Sequence, residues 1–335
     1  MRQNAPSQAP GRGADQLSGG ASVYAMLTLT VALWGSAFPA SKAVVDSVPH
    51  QIAALLRFGF GGLVIVAWLL ASGRRLTVSL ADLGRTAVAG MLGVFGYNTL
   101  FFWGLSLAPS IDGSIIVPVF APVITTAISV LLLRERTSGA RIAGLAVGIG
   151  GSVVFLLGVG SLADGKRLLG DLVYLAAAVS WSAYTLVAKR ILKGDPLKAT
   201  ALATICGSIA LAAVAAPALH SVDWSRLSGD FWLVVAYLAV GPTAIAYVFY
   251  YRGVHAVGPT TASVMMFLSP VFGGLGSVLF LHEKLTWMQA VGAALMVVGA
   301  LLAVTGRLLP RWRRANVAAG ADPLEPSPAR ESTTS

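Results

Sequence analysis

Leu33-Trp34-Gly35-Ser36-Ala37-Phe38 returns 147 positions later as Ser180-Trp181-Ser182-Ala183-Tyr184. The match continues downstream: Pro122, Glu135 and Gly144 recur at a spacing of 148 as Pro270, Glu283 and Gly292, and Gly104 recurs at 149 as Gly253. Anchors held at nearly one spacing mark an internal duplication. It divides the chain into a first unit over 23–158 and a second over 171–305, with a connecting segment at 159–170 and tails at 1–22 and 306–335.

The make-up of the duplicated unit decides its solvent. Of 335 residues, 56% are hydrophobic and 11% charged, whereas soluble domains carry about a quarter charged. A water-facing surface cannot be built from that composition, so the surrounding medium is lipid. Apolar runs suited to membrane helices fall near 23–44, 52–71, 87–106, 112–133, 139–158, 171–188, 198–218, 231–251, 260–281 and 286–305. They are apolar all round rather than alternating, which excludes a barrel of strands. Each unit therefore holds five helices, and an odd number turns the second unit upside down relative to the first. The expectation is an all-α integral membrane protein with ten transmembrane helices in two inverted five-helix repeats.

Charge placement sets the orientation. Eighteen of the 24 Lys and Arg residues lie in the two tails and the connections on their side of the membrane, so the positive-inside rule puts both termini in the cytoplasm and the 159–170 linker outside. The tails lack periodicity and are expected to be disordered, the C-terminal one after a basic start. The net charge of +10 is thus spread over short hydrophilic gaps and implies no nucleic-acid partner. The first apolar run is long and has no small-residue cleavage site, so it reads as a helix and not a signal peptide. Cys206, the single cysteine, allows no intrachain disulfide and reads as a packing residue.

Two inverted halves can exchange conformations about a site at their interface, the architecture of alternating access. Residues that disturb helices stand at matching places in the two halves. Gly93 and Gly96 precede Tyr97 and Asn98, Gly241 and Pro242 precede Tyr247, and at a spacing of 149 Gly93 falls on Pro242 and Asn98 on Tyr247. Pro118, Pro122 and Pro270 repeat the theme in the helices that follow. A proline frees a backbone carbonyl, which lipid tolerates only beside a polar cavity or another helix. These hinge candidates read either as ordinary kinks or as the rim of a central cavity. Trp34, Trp181 and Tyr184 share one depth by the repeat, and with Tyr97, Asn98 and Tyr247 they are the candidates to line a substrate site.

Lys42 and Arg57 lie near the ends of the first two helices. They read either as a gate or recognition site for an anionic group, with Asp46 or a backbone carbonyl as resting partner, or as cations that snorkel to the headgroups. No Asp or Glu falls mid-span, so a buried carboxylate relay is not expected; Asp112 reads as a helix N-cap, with a coupling role as the alternative. Glu135 and Glu283 close the fourth and ninth helices and read as organisers of helix-end loops in the headgroup region, with a coupling-ion role as the alternative. His50, His220, His255 and His282 lie at helix ends without metal-ligand spacing, and neither a metal nor a cofactor is expected. Gly144, Gly148 and Gly151, and Gly292 with Gly299, offer small-residue faces for close packing.

Trp34-Gly35-Ser36-Ala37-Phe38, followed by Lys42, Pro49 and Arg57-Phe58, resembles the opening of EamA-type members of the drug/metabolite transporter superfamily. Pro122-Val123 with Leu133-Arg134-Glu135-Arg136, and Ser269-Pro270-Val271 with Phe280-Leu281-His282-Glu283-Lys284-Leu285 and Gly292-Ala293-Ala294-Leu295, resemble the closing signatures of its two repeats. The resemblance covers about 23–305 and implies ten helices in two inverted bundles and transport of small metabolites, commonly export of amino acids or related compounds. The expected protein is a multi-pass secondary transporter of the inner (plasma) membrane, with export the expected direction. Its partners would be a small-molecule substrate and the bilayer, with a homodimer left open. A polytopic membrane enzyme would need paired acids, a metal cluster or an activated nucleophile at one depth, and the sequence offers none. A channel or a non-transporting scaffold is the other alternative.

Overall fold

The computed structural model describes residues 12–76, 78–132, 134, 137–157, 165–191, 195–273, 275 and 286–305. Among them no strand forms. The first half runs α1 (Arg12–Val45), α2 (His50–Ala71), α3 (Leu80–Leu107), α4 (Ser110–Leu131) and α5 (Gly139–Leu157). The second runs α6 (Gly165–Ile191), α7 (Pro196–Ala215), α8 (Gly229–Val257), α9 (Pro259–Val264, continued by the 3-10 turn Met265–Leu268) and α10 (Trp287–Thr305). Among the described residues, seven helices are long and apolar enough to cross a membrane, and Gly139–Phe155 and Trp287–Ala303 are shorter apolar helices. Their number and character make the chain a multi-pass membrane protein.

Local chemistry sets the helix starts. Ser79 Oγ accepts from Asp82 N at 3.1 Å and Ser228 Oγ accepts from Phe231 N at 3.2 Å, ahead of α3 and α8. These side chains satisfy amides that the first turn leaves open, and the two serines stand 149 positions apart. Asp195 caps α7 by accepting from Leu197 N at 3.0 Å, with Pro196 at the first helical position. Pro49 and Pro109 stand immediately before α2 and α4, and Pro259 opens α9; there a missing N–H costs the helix that follows nothing.

Several starts differ from the sequence expectation. α1 begins at Arg12, inside the tail read as disordered over 1–22; α3 begins at Leu80 and not near 87; α6 begins at Gly165, inside the 159–170 linker. Apolar runs underestimate these helices because a nucleated helix extends through polar residues at little cost. In α3 the polar turn also holds itself together, with Arg85 Nη1 2.8 Å from Asp82 Oδ1. Residues 1–11, the C-terminal tail over 306–335, Glu135, His282 and Glu283 lie outside the described residues.

Between helices in lipid there is no hydrophobic drive, and close backbone approach supplies the contact energy instead. α5 and α10 meet this way: a Cβ on Gly144 would fall 2.6 Å from Gly299 O, and one on Gly151 2.8 Å from Gly292 O. Between the halves the close contacts come in reciprocal pairs. Gly61 of α2 meets Thr243 of α8 as Gly207 of α7 meets Val94 of α3, and Gly104 of α3 meets Tyr174 of α6 as Gly253 of α8 meets Leu27 of α1. Mates in these pairs are 146 to 149 positions apart. α1, α3, α6 and α8 are thereby drawn together at the centre.

Candidate functional site

α3 and α8 each change pitch near the middle, through π-helical turns at Met91–Gly96 and Ala239–Ile245. Pro242 has no N–H for the ordinary α-helical bond, and the wider turn accommodates the loss. In α3 the glycines admit neighbours: a Cβ on Gly93 would lie 2.5 Å from Tyr184 Cγ and one on Gly96 2.9 Å from Ser180 Oγ. Both helices stay continuous, so the expected interruptions at Gly93, Gly96, Gly241 and Pro242 are local rewinding and not gaps. The other hinge candidates carry no π turn: Pro118 and Pro122 are buried inside α4, and Pro270 follows the 3-10 turn Met265–Leu268. The rewound backbone presents its carbonyls to side chains. Pro242 O accepts from Trp34 Nε1 at 3.0 Å, and Gly93 O accepts from the Tyr247 hydroxyl at 3.2 Å.

Trp34 and Trp181, repeat-mates, meet edge to face at a centroid distance of 5.0 Å. Tyr250 lies 4.9 Å from the first and 5.2 Å from the second, and Tyr97 lies 4.9 Å from Trp181. Beside this cluster is a cavity of about 20 Å³ lined by Trp34, Arg57, Tyr97, Trp181, Tyr247 and Met266. That is room for about one water molecule, so the centre is closed in this conformation.

Arg57 supplies the cavity's charge. The residue is 4% exposed; Nε donates to Thr243 Oγ1 at 3.2 Å and Nη1 to Ser41 Oγ at 3.4 Å. Its guanidinium carbon stands 5.1 Å from the Phe58 ring centre and 5.7 Å from that of Phe101. Hydroxyls and ring faces offset part of the cost of burying a cation, but among the described residues no carboxylate pairs with it. The snorkelling reading of Arg57 is therefore corrected: the side chain is buried between helices, against Thr243 of α8, Ser41 of α1 and the rings of Phe58, Phe101 and Phe102.

Not every candidate reaches the cavity. Asn98 is fully buried behind it, donating from Nδ2 to Val94 O at 2.9 Å and to the Tyr247 hydroxyl at 3.3 Å. Tyr184 packs on Trp181 at 5.1 Å, outside the lining. Lys42 stays at the end of α1, with Nζ 2.9 Å from Asp46 Oδ1 and 3.1 Å from Leu105 O. Asp112 is no N-cap: it is buried in the first turn of α4 and held by Arg167 of α6, Nε to Oδ2 at 2.6 Å and Nη2 to Oδ1 at 2.7 Å. Sequence reasoning passes over Ser41, Thr243, Tyr250 and Met266. Helical spacing could have found two of them, since Ser41 lies seven residues after Trp34 and Tyr250 three after Tyr247, each pair on one face. Thr243 adjoins Pro242, and Met266 carries no local signal.

The profile of the EamA-like transporter family matches residues 21–157 and again 168–305. The aromatic amino acid exporter YddG of Ancylobacter novellus is 29% identical over 284 residues, 83% of this chain and 96% of its own. A probable terminal-alkyne amino-acid exporter of Streptantibioticus cattleyicolor is 28% identical over 295 residues, 87% and 95% of the two chains. The uncharacterized transporter YyaM of Bacillus subtilis is 25% identical over 299 residues, 87% and 96%. A crystal structure 26% identical in sequence superposes with a TM-score of 0.70, covering 84% of this chain and 98% of that one.

Proposed function

Because the chain belongs to the EamA-like transporter family, whose named relatives are transporters and not enzymes, we propose that it exports small organic carboxylates, amino acids or related compounds, across the cytoplasmic membrane by alternating access. The observation that carries this reading is Arg57, a buried cation facing a central cavity with no acid to neutralise it among the described residues. A substrate carboxylate would accept from its free N–H groups in the bidentate geometry a guanidinium favours. The aromatic walls would take the rest of the molecule. No covalent step is needed, since binding only has to lower the barrier between two conformations. Export as the direction is supported by two relatives named as amino acid exporters.

The same proposal includes ten membrane helices in two inverted five-helix repeats, with both termini cytoplasmic. The paired capping serines, the paired π turns and the reciprocal glycine contacts support the repeat, and the placement of Lys and Arg supports the cytoplasmic termini.

Counterflow in proteoliposomes tests the function, using a panel of labelled amino acids each compared with its amide. The expected result is saturable exchange of acids and little of amides. Exchange of amides at the same rate as acids, flux that does not saturate, or no exchange of any acid in the panel would overturn it.

A further inference from the structure

α3 and α8 each end in carbonyls that their own backbone cannot satisfy, and the first of these is taken by a side chain from another helix. The last bond of α3 runs from Ala108 N to Gly104 O at 2.8 Å, and that of α8 from Gly258 N to Val254 O at 3.0 Å. The next carbonyls, of Leu105 and His255, would require the N–H of residues 109 and 259, and both are proline, which has none. In each case a lysine takes the place. Lys42 Nζ of α1 donates to Leu105 O at 3.1 Å, and Lys189 Nζ of α6 donates to His255 O at 2.9 Å. The lysines are 147 positions apart, as are Trp34 and Trp181, while Leu105 and His255 share the 150 spacing of Pro109 and Pro259.

The two bonds lie at opposite ends of the helical core. Lys42 sets the end of α1 beside the end of α3, whereas Tyr174, in the first half of α6, packs on Gly104 near the end of α3. α1 and α6 are thus antiparallel, and Lys42 and Lys189 mark opposite faces. Each lysine lies eight residues beyond its tryptophan, or about 12 Å along the helix, so the cavity sits midway. One bond ties α1 to α3 on one side of it, and the other ties α6 to α8 on the other side.

We propose that these are two gate latches, one for each face, and that opening toward a face breaks that face's latch while the opposite one holds. The inference rests on the alternating-access reading above. With both latches made, the cavity between them is closed. A flexible lysine at a partly exposed helix end suits the task, because water can replace either partner when the bond opens. Asp46, 2.9 Å from Lys42 Nζ, keeps that lysine paired when it leaves the carbonyl.

The test uses the full chain with Cys206→Ser and a reporter cysteine at the cavity, Met266→Cys, labelled by a membrane-impermeant thiol reagent in intact cells and in inside-out vesicles. Lys42→Met should raise labelling from the face where α1 ends by about three- to tenfold relative to the other face, and Lys189→Met should do the reverse, each removing one charge-assisted hydrogen bond. Lys42→Arg and Lys189→Arg keep a donor and should keep the parent ratio. If the parent labels from both faces but the methionine variants leave the ratio unchanged, or both shift it toward the same face, the latches are wrong and alternating access stands. A reporter inert in the parent and every variant overturns the alternating-access reading, and the latches with it.

Discussion

The role proposed for Arg57 rests on what surrounds it: two hydroxyls at 3.2 and 3.4 Å, ring faces, and no acid among the described residues. Arg57→Gln should therefore weaken carboxylate affinity by about thirtyfold or more, since truncating one partner of a buried charged pair costs roughly 2–5 kcal/mol. Arg57→Lys should retain part of it, having charge without the fork. Concentration dependence of counterflow reads both, and an unchanged affinity in Arg57→Gln would remove the residue from the site. Asn98 belongs to a different class. Bonded to Val94 O and the Tyr247 hydroxyl and fully buried, it supports the wall and is not part of the cavity lining. Asn98→Ala should lower stability by about 1–3 kcal/mol, measured by thermal unfolding in detergent, and change affinity little; the opposite pattern would put Asn98 in the cavity. Depth in the membrane is legible from the repeat, which is why Trp34, Trp181 and Tyr247 can be gathered from sequence alone. Direction around the helix is not, because a π turn inserts a residue and rotates the whole following segment by about 100° relative to the preceding one, so the sequence does not show that Tyr97 faces the cavity while Asn98, the next residue around the helix, lies behind it.

At the level of elements, helix existence follows from apolar runs, while helix ends depend on caps that composition hides. α3 starts seven residues before its apolar run because Ser79 and the Asp82–Arg85 pair stabilise a polar first turn. The small-residue faces of α5 and α10 are legible, and so is their consequence. Gly299→Leu would drive a side chain into the α5 backbone at Gly148 N, 2.5 Å from an added Cβ, and should destabilise by about 1–3 kcal/mol or more. Val298→Leu, at a position 46% exposed toward lipid, should change almost nothing. Unfolding temperatures of the two variants check the pair; equal values would show that α5 and α10 do not depend on this contact. The lysine-to-carbonyl bonds are half legible. The prolines at 109 and 259 announce an unsatisfied carbonyl four residues earlier, but only the packing shows which side chain reaches it.

Across the whole molecule, one relation ties these parts together: what happens to α3 against α6 at one face happens to α8 against α1 at the other. In the proposed mechanism such reciprocity would let the two halves trade conformations at equal cost, so that a site between them opens alternately. It requires the second half to enter the membrane upside down relative to the first. Leu80 and Gly229, the exposed residues that open α3 and α8, are mates at a spacing of 149 and report on it directly. Single cysteines at these two positions, in a Cys206→Ser background, should react with an impermeant thiol reagent from opposite faces. The account predicts Leu80→Cys labelled only in inside-out vesicles and Gly229→Cys only in intact cells, whereas labelling of both from the same face would contradict it.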